Sequence, residues 1–358
     1  MAVQKVLETA KKFIQDAPDT TKPLHEVFFP QVDTSDSVDI SIDDRFGVGF
    51  AVASISDYGV SERVQYIPGQ GQKFIPHFYR RSTPIDEKMR DSVAVGLDAK
   101  SPAAMSYMRY VEQIVGGSYG FMQAARMTRN KMAMDVLLEG KMNYYDKDAL
   151  VNYTYDFGRD AANFMTPDFD TETFDSAILE MYTQAKVKGM STDNLAVVLG
   201  SSWYSLFETD STVLAKRNAR NTIQIQQDML PPAYRGSSEV VVIGKYHVDG
   251  MVAPITLLAI NSRWKYFSKK GASGADYMPA AKSMMIDMSQ ESWQFNRGID
   301  VCDSAGNIVR GSGELILDGY KTSEPPAEFL RVNFRPFYYF GNPDNVIVST
   351  GTNFVSSE

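Results

Sequence analysis

The chain has 358 residues, 44% hydrophobic and 22% charged, enough apolar material for a sizeable core spread over two or three domains. A formal net charge of -8 argues against a surface built to grip nucleic-acid phosphates. One cysteine, Cys302, allows no internal disulfide, and with three histidines it makes a metal-centred or thiol mechanism a poor fit, so no metal and no cofactor is expected.

No apolar run approaches the roughly 20 residues that cross a bilayer, and Lys5, Glu8, Lys11 and Lys12 interrupt the start, so neither a membrane span nor a signal peptide is expected. Residues 3 to 15 set Val3, Val6, Leu7, Ala10, Phe13 and Ile14 on one helical face, ending before Pro18. A helix that short is marginal alone, so its apolar face needs its own domain or a neighbouring chain. Asp36 to Asp43 alternates, with Val38, Ile40 and Ile42 on one side, as in a half-buried strand; its acids fall on the solvated side, away from any metal.

Gly47 to Ser56 and Gln72 to Arg81 read as extended limbs around Asp57 to Gly71. The tip Tyr66-Ile67-Pro68-Gly69-Gln70-Gly71-Gln72 has the glycines and proline of a tight turn, and no Lys-Ser or Lys-Thr pair follows to make a phosphate cradle. Such a protruding loop, carrying Arg63, Lys73, Arg80 and Arg81, has little core of its own and is expected to rest on something else.

After a segment from Asp86 to Leu97, the longest helical pattern runs from Ser101 to Lys141. Met122, Ala125, Arg129, Met132 and Val136 share one face, with Arg129 its only polar interruption. Gly116, Gly117 and Gly120 sit inside the pattern and each costs up to about 1 kcal/mol against alanine, so the helix either breaks or bends there. Tyr144-Tyr145 and Leu150 to Phe157 look like strands.

From Asp168 an α/β block begins. Asp168, Asp170 and Glu172 resemble the start of a calcium loop, but Thr173 and Leu179 stand where such a loop needs glycine and glutamate, so Asp170 reads as a helix cap. The helix carries Phe174, Ala177, Ile178, Met181 and Ala185 inward and stops at Gly189. Leu195 to Leu199 is a buried strand, Ser201 or Ser202 caps the helix of Trp203, Leu206 and Phe207, and Val240 to Gly244 and Ile255 to Ile260 are further strands. The Gly200-Ser201-Ser202-Trp203 turn invites comparison with a serine nucleophile elbow, but the second glycine is missing and His247 is the only downstream histidine, so no catalytic residue is assigned. Farther on, Asp303 to Gly306 is a turn, Glu314 to Leu317 a short strand and Ser323 to Pro326 a break. Glu328 to Phe340 and Asn345 to Thr350 should pair as a long hairpin across Gly341 to Asp344.

This order of parts resembles the lambda-like major capsid protein family. The resemblance is carried by Leu24 to Phe29, the Gly69 to Pro76 loop limb, the helix end Ala133 to Lys141, the stretch Leu195 to Phe207, and Pro343-Asp344 followed by Val346 and Val348. It implies an α+β, HK97-like capsid fold, shared by tailed-phage heads, herpesvirus shells and encapsulins. The parts would be an N-terminal arm (1–45), an E-loop (46–85), a peripheral domain with a spine helix (86–160), an axial domain (161–320) and closing peripheral strands (321–358).

By the same resemblance, the chain would form the hexamers and pentamers of an icosahedral head around double-stranded DNA, assembled in the host cytoplasm. A separate scaffolding protein and a portal would be its partners, and the resemblance leaves open whether a decoration protein joins them. The E-loop tip, Tyr66 to Gln72, and the arm residues Val3, Val6, Leu7, Phe13 and Ile14 would contact neighbours. Gly116, Gly117 and Gly120 would mark where the spine bends as the shell expands. Lys73 and Asn342 stand where some capsids of this fold form a lysine–asparagine crosslink, which is not expected in this branch. An encapsulin-like compartment is the alternative of the same fold, and a soluble α/β enzyme built on the Leu195 to Ser202 turn is a further one.

Overall fold

A computed structural model describes residues 2–354 apart from 17–21, 44–70, 86–101, 118–119, 146–149, 215–238, 269–270, 303–306 and 324–325. The chain opens with α1 (Ala2–Asp16), α2 (Leu24–Phe28), β1 (Gln31–Ser35) and β2 (Ile40–Asp43), resuming with β3 (Gly71–Phe74) and β4 (Tyr79–Pro84). Two helices, α3 (Pro102–Gly116) and α4 (Phe121–Glu139), lead to the antiparallel pair β5 (Lys141–Tyr145) and β6 (Val151–Asp156). β7 (Phe164–Met165), α5 (Phe174–Val187), β8 (Leu195–Leu199) and α6 (Ser201–Thr209) follow. The remaining described elements are β9 (Val240–Tyr246), β10 (Ile255–Ile260), β11 (Arg263–Ser268), β12 (Gly271–Asp276), β13 (Lys282–Asp287), β14 (Ser292–Arg297) and β15 (Ile299–Cys302). They continue through β16 (Ile308–Gly311), β17 (Ile316–Ser323), β18 (Pro326–Phe334), β19 (Pro336–Phe340) and β20 (Val346–Thr350).

Three layers form the larger body. A six-stranded sheet, ordered β7-β20-β13-β8-β10-β9, has α5 and α6 on one face and α4 on the other. Along β8, Leu195, Val197 and Leu199 pack with Phe174, Ile178, Met181, Trp203 and Phe207, whereas Ala196 and Val198 pack with Met132, Val136, Met284 and Val348. A strand covered on both faces needs apolar side chains at successive positions, which explains the continuous run LAVVL. The same logic applies to α4, whose residues Met132 to Leu138 are all buried because α2, β5 and β19 close its other sides.

A smaller body is the three-stranded sheet β17-β18-β4, covered by α1 and α3. Val6, Leu7 and Ala10 of α1 meet Val111 and Val115 of α3 and Leu317, Leu330 and Val332 of the sheet. The third sheet, β1-β14-β19, joins the start of the chain to its end, with β1 parallel to β14.

Several expectations are corrected. The 101–141 pattern is two helices: α3 ends at Gly116, and Gly120, extended at φ -70° and ψ 174°, is the N-cap of α4. The alternating run 36–43 is strand only from Ile40, because the Ser37 hydroxyl accepts from the Asp39 N–H and the Ser37 carbonyl accepts from Gly298, taking up groups a ladder would need. Thr173, not Asp170, caps α5: its hydroxyl accepts from the Ser176 N–H at 3.2 Å while the Ser176 hydroxyl accepts from the Thr173 N–H at 3.0 Å. Asp170 stands too far before the first turn to reach those donors. The helix ends in a Schellman motif, with Gly189 at φ 74° and the Met190 N–H on the Ala185 carbonyl.

At α6 the cap position is Gly200, with neither serine as a side-chain cap. Carbonyls of the loop before β13 serve instead, Ala280 accepting from Ser202 N–H and Ala281 from Trp203 Nε1. A Cβ on Gly200 would lie 2.3–2.5 Å from three of that loop's carbonyl oxygens, so only glycine lets the two segments approach. The expected C-terminal hairpin does not form. β19 pairs with β14, and β20 instead enters the six-stranded sheet between β13 and β7, across the boundary drawn at residue 320. The turn at 341–345 redirects the chain, fixed by the Gly341 N–H on the Glu291 carbonyl and by Asn342, whose side chain accepts from the Asp344 N–H. β17 is also longer than the expected 314–317.

Candidate assembly surfaces

β2 and β3 pair antiparallel up to Asp43 opposite Gly71, so residues 44–70 leave and return side by side. Of the expected tip, Tyr66, Ile67, Pro68, Gly69 and Gln70 lie outside the described residues, and Gly71 and Gln72 open β3. Past β3 the chain runs over the β5–β6 pair: the Phe74 ring lies 5.6 Å from Tyr155, the Tyr155 hydroxyl donates to the Ile75 carbonyl at 2.5 Å, and the His77 ring lies tilted 4.7 Å from Tyr153. The outer side of this junction is apolar and open. Ile75 is 54% exposed, Leu150 65%, Val151 52% and Tyr153 44%. The outer edge of β6 pairs with no strand among the described residues. The bulge opposite Tyr144 and Tyr145 turns Val151 to the face away from Tyr153, and neither residue brings a charge that would discourage pairing with another chain.

The arm residues sit differently from a free arm. Val6 and Leu7 are buried on their own chain, Phe13 and Ile14 pack partly buried beside them, and the side chain of Val3 lies outside the described residues. The glycines lie against this cluster. A Cβ on Gly116 would meet the Phe13 ring at 2.7 Å, whereas one on Gly117 or Gly120 would meet the Gln113 or Val115 carbonyl oxygen at 2.5 and 2.7 Å.

Two polar sites that sequence reasoning missed hold the layers together. Arg159 caps α4: its guanidinium donates to the Leu137 and Val136 carbonyls at 2.6 and 2.9 Å and to the Pro343 carbonyl at 2.8 Å, satisfying helix-end acceptors with a positive charge. Burial lowers its pKa to about 10, so it stays charged at neutral pH. The second site begins at Arg129, buried on α4, which donates to Asn296 Oδ1 at 3.0 Å and to the Glu314 carbonyl. Its neighbour Asn130 accepts from the backbone N–H and ring Nδ1 of His25 and donates to Glu239 Oε2 at 3.0 Å. Glu239 also accepts from the Leu24 N–H and faces Arg126 at 3.4 Å. The facing His25 ring, with Arg129 adding, holds the Glu314 carboxyl well below its ordinary value against the effect of burial. Arg129 was visible as a polar residue on an apolar face; its partners, far along the chain, were not.

Of the remaining sequence candidates, Asn342 is engaged in its own turn, its Nδ2 donating to Asn345 Oδ1 at 3.3 Å, and Lys73 lies on β3. No helix among the described residues is long and apolar enough to cross a membrane.

The layered α/β body, the sheet-bound spine helix and the β2–β3 pair belong to an α+β, HK97-like fold, and a solved structure agrees. A protein of an Escherichia coli CFT073 prophage, taken to be its capsid protein, superposes with a TM-score of 0.62 at 13% identity, covering 98% of this chain and 99% of that one. The mature capsid of bacteriophage PhiM1 (TM-score 0.43, 11% identity, 94% and 90% covered) and an encapsulin of Synechococcus elongatus PCC 7942 (0.41, 7%, 98% and 96%) are more distant. No curated protein matches the sequence. The sequence matches the phage major capsid protein E family over residues 11–249, and the chain belongs to that family. It is a phage major capsid protein, a structural component of homo-oligomeric shells.

Proposed function

We propose that this protein forms the hexamers and pentamers of an icosahedral tailed-phage head that encloses double-stranded DNA. The observation that carries the proposal is the open apolar junction at Ile75, Leu150, Val151 and Tyr153, beside the paired strands from which residues 44–70 depart. In a monomer an uncovered strand edge with apolar side chains invites indiscriminate pairing; between shell subunits it becomes contact area. Residues 44–70, which include Tyr66 to Gln70 of the expected tip, contact a neighbour, with Gly71 and Gln72 held in β3 at their base, and the outer side of α1 adds a second contact. Gly116, Gly117 and Gly120 let α3 and α4 change their angle as the shell expands. The chain is divided into arm, E-loop, peripheral and axial parts, with β20 counted in the axial sheet. A negative balance of -8 suits a lining that must not bind the genome tightly. Scaffolding and portal proteins complete assembly, in the host cytoplasm. Family membership favours the phage head over an encapsulin compartment.

Negative-stain microscopy of the purified protein tests the proposal. Shells of uniform diameter, or hexameric and pentameric rings, are expected; a stable monomer under every assembly condition, including with the scaffolding protein, overturns it.

A further inference from the structure

The site around Arg129 contains a group whose electronic demand the chain itself leaves unmet. His25 is 1% exposed, and its ring has two ends. Asn130 donates its amide N–H to Glu239, so its Oδ1 is the acceptor, and His25 Nδ1, 2.8 Å from that oxygen, carries the ring proton. Nε2 is then the end of the ring left for another partner. It is buried, makes no hydrogen bond, and lies 3.6 Å from Glu314 Oε1. A buried ring nitrogen without a hydrogen bond therefore faces a carboxylate oxygen at the surface.

Either a proton or a metal ion between them would join the two, and the spacing is compared with each. A protonated ring would close on the carboxylate to a charge-assisted hydrogen bond of about 2.7–2.9 Å. Two ligands held at about 2.0–2.1 Å by a tetrahedral ion stand roughly 3.4 Å apart, close to the spacing observed. A third donor is also present. One carboxylate oxygen of Glu26 joins His25 and Glu314, with all three ligand atoms within 4.8 Å of one another. Arg129 is no obstacle. Its Nη1 stands 3.8 Å from Glu314 Oε1, and its Nη2 is engaged with Asn296 and the Glu314 carbonyl, the position of an outer partner to a ligating carboxylate.

We infer that His25, Glu26 and Glu314 form a structural site for one divalent transition-metal cation, of which zinc is the type, joining α2 to the loop ahead of β17 along the flank of α4. An imidazole donor with two carboxylates suits zinc, cobalt or nickel better than calcium or magnesium, which take oxygen alone. Asn130 is the supporting group, fixing the ring tautomer as such partners of ligating histidines do. An ion there would hold the N-terminal segment against the spine.

The test uses the full chain, stripped with a chelator and titrated with cobalt(II) by visible absorption and with zinc(II) by calorimetry. One equivalent is expected, with zinc displacing cobalt and raising the melting temperature. Because Glu314 has a half-exposed side chain, Glu314→Gln should fold normally while binding at least ~100-fold more weakly, and Asn130→Ala should lose about 10–100-fold. His25→Gln should abolish binding. Failure of the wild-type chain to take up either metal overturns the assignment, as does unchanged affinity in Glu314→Gln. If the metal-free chain shows a stability step near neutral pH that Glu314→Gln removes, and no metal uptake, the site holds a proton instead and the inference is wrong.

Discussion

Asp135 is 1% exposed on α4, one turn from Lys131, with which it pairs, while the Tyr145 hydroxyl donates to its other oxygen. Burial raises its pKa to about 6 from an ordinary 3.8, against the opposing pull of Lys131. The folded chain thus holds this proton more tightly than the unfolded chain, so the contribution is fully present below about pH 4 and is lost as pH rises through 6. Two pH units correspond to on the order of 3 kcal/mol. Asp135→Asn should flatten that fall, and melting curves from pH 4 to 7 should show the wild type losing stability relative to the variant; parallel curves would mean that Lys131 offsets the burial in full. Asp318 has the opposite balance. Completely buried, it accepts two hydrogen bonds from Arg331, directly opposite on β18, and others from Asn333 and the Cys302 N–H. Asp318→Ala strands the guanidinium and should cost about 3–5 kcal/mol in denaturant unfolding, whereas exchanging both partners for apolar residues should recover most of it. At this scale the sequence was only partly legible: Arg129 stood out against an apolar face, but nothing local connects it to Glu314, nor His25 and Glu26 to a carboxylate 288 positions away.

Elements were legible where their cause is local. The period of α4 and α5, the stop at Gly189 and the apolar run of β8 each follow from neighbours within a few positions, and each stands in the structure. Pairing was not legible, because β1 with β14, β4 with β18 and β20 with β13 join segments brought together only by the finished core. The glycines between α3 and α4 combine both cases. Composition announced an interruption, and packing determines which glycine matters. An added Cβ at Gly116 meets only the end of the Phe13 ring, which can rotate aside, so Gly116→Ala should change stability by less than about 1 kcal/mol and loosen α1. Gly120→Ala drives a methyl into the Val115 carbonyl and the Gly117 N–H, backbone atoms that cannot rotate aside as a ring can, and should cost about 1–3 kcal/mol. If particles of the Gly116→Ala, Gly117→Ala double variant expand at the wild-type rate, the bend proposed between α3 and α4 is not used in expansion.

For the whole molecule, the question is why a folded chain leaves an apolar junction open. Its three clusters are each closed by the chain itself, α1 included, so the junction beside β6 is not an unfinished core awaiting the N-terminal helix. A shell subunit must be stable alone yet bind neighbours by several modest contacts, none strong enough to trap a misplaced copy. This separates folding from assembly. Val151→Lys and Tyr153→Lys place charge at strand positions already 52% and 44% exposed; Val151→Lys should move the monomer's unfolding free energy by no more than about 0.5 kcal/mol, and Tyr153→Lys, which loses ring contacts with His77 and Tyr155, by about 0.5–1.5 kcal/mol, while strand-edge contact is blocked. Removing 57–70 and closing the ends with a short turn keeps the Asp43–Gly71 rung and should likewise leave the melting temperature near wild type. Light scattering and electron microscopy of both variants should show folded chains that form no closed shells. Normal shells from the lysine variant would move the lateral contact away from β6, and normal shells from the deletion would remove the excursion from assembly.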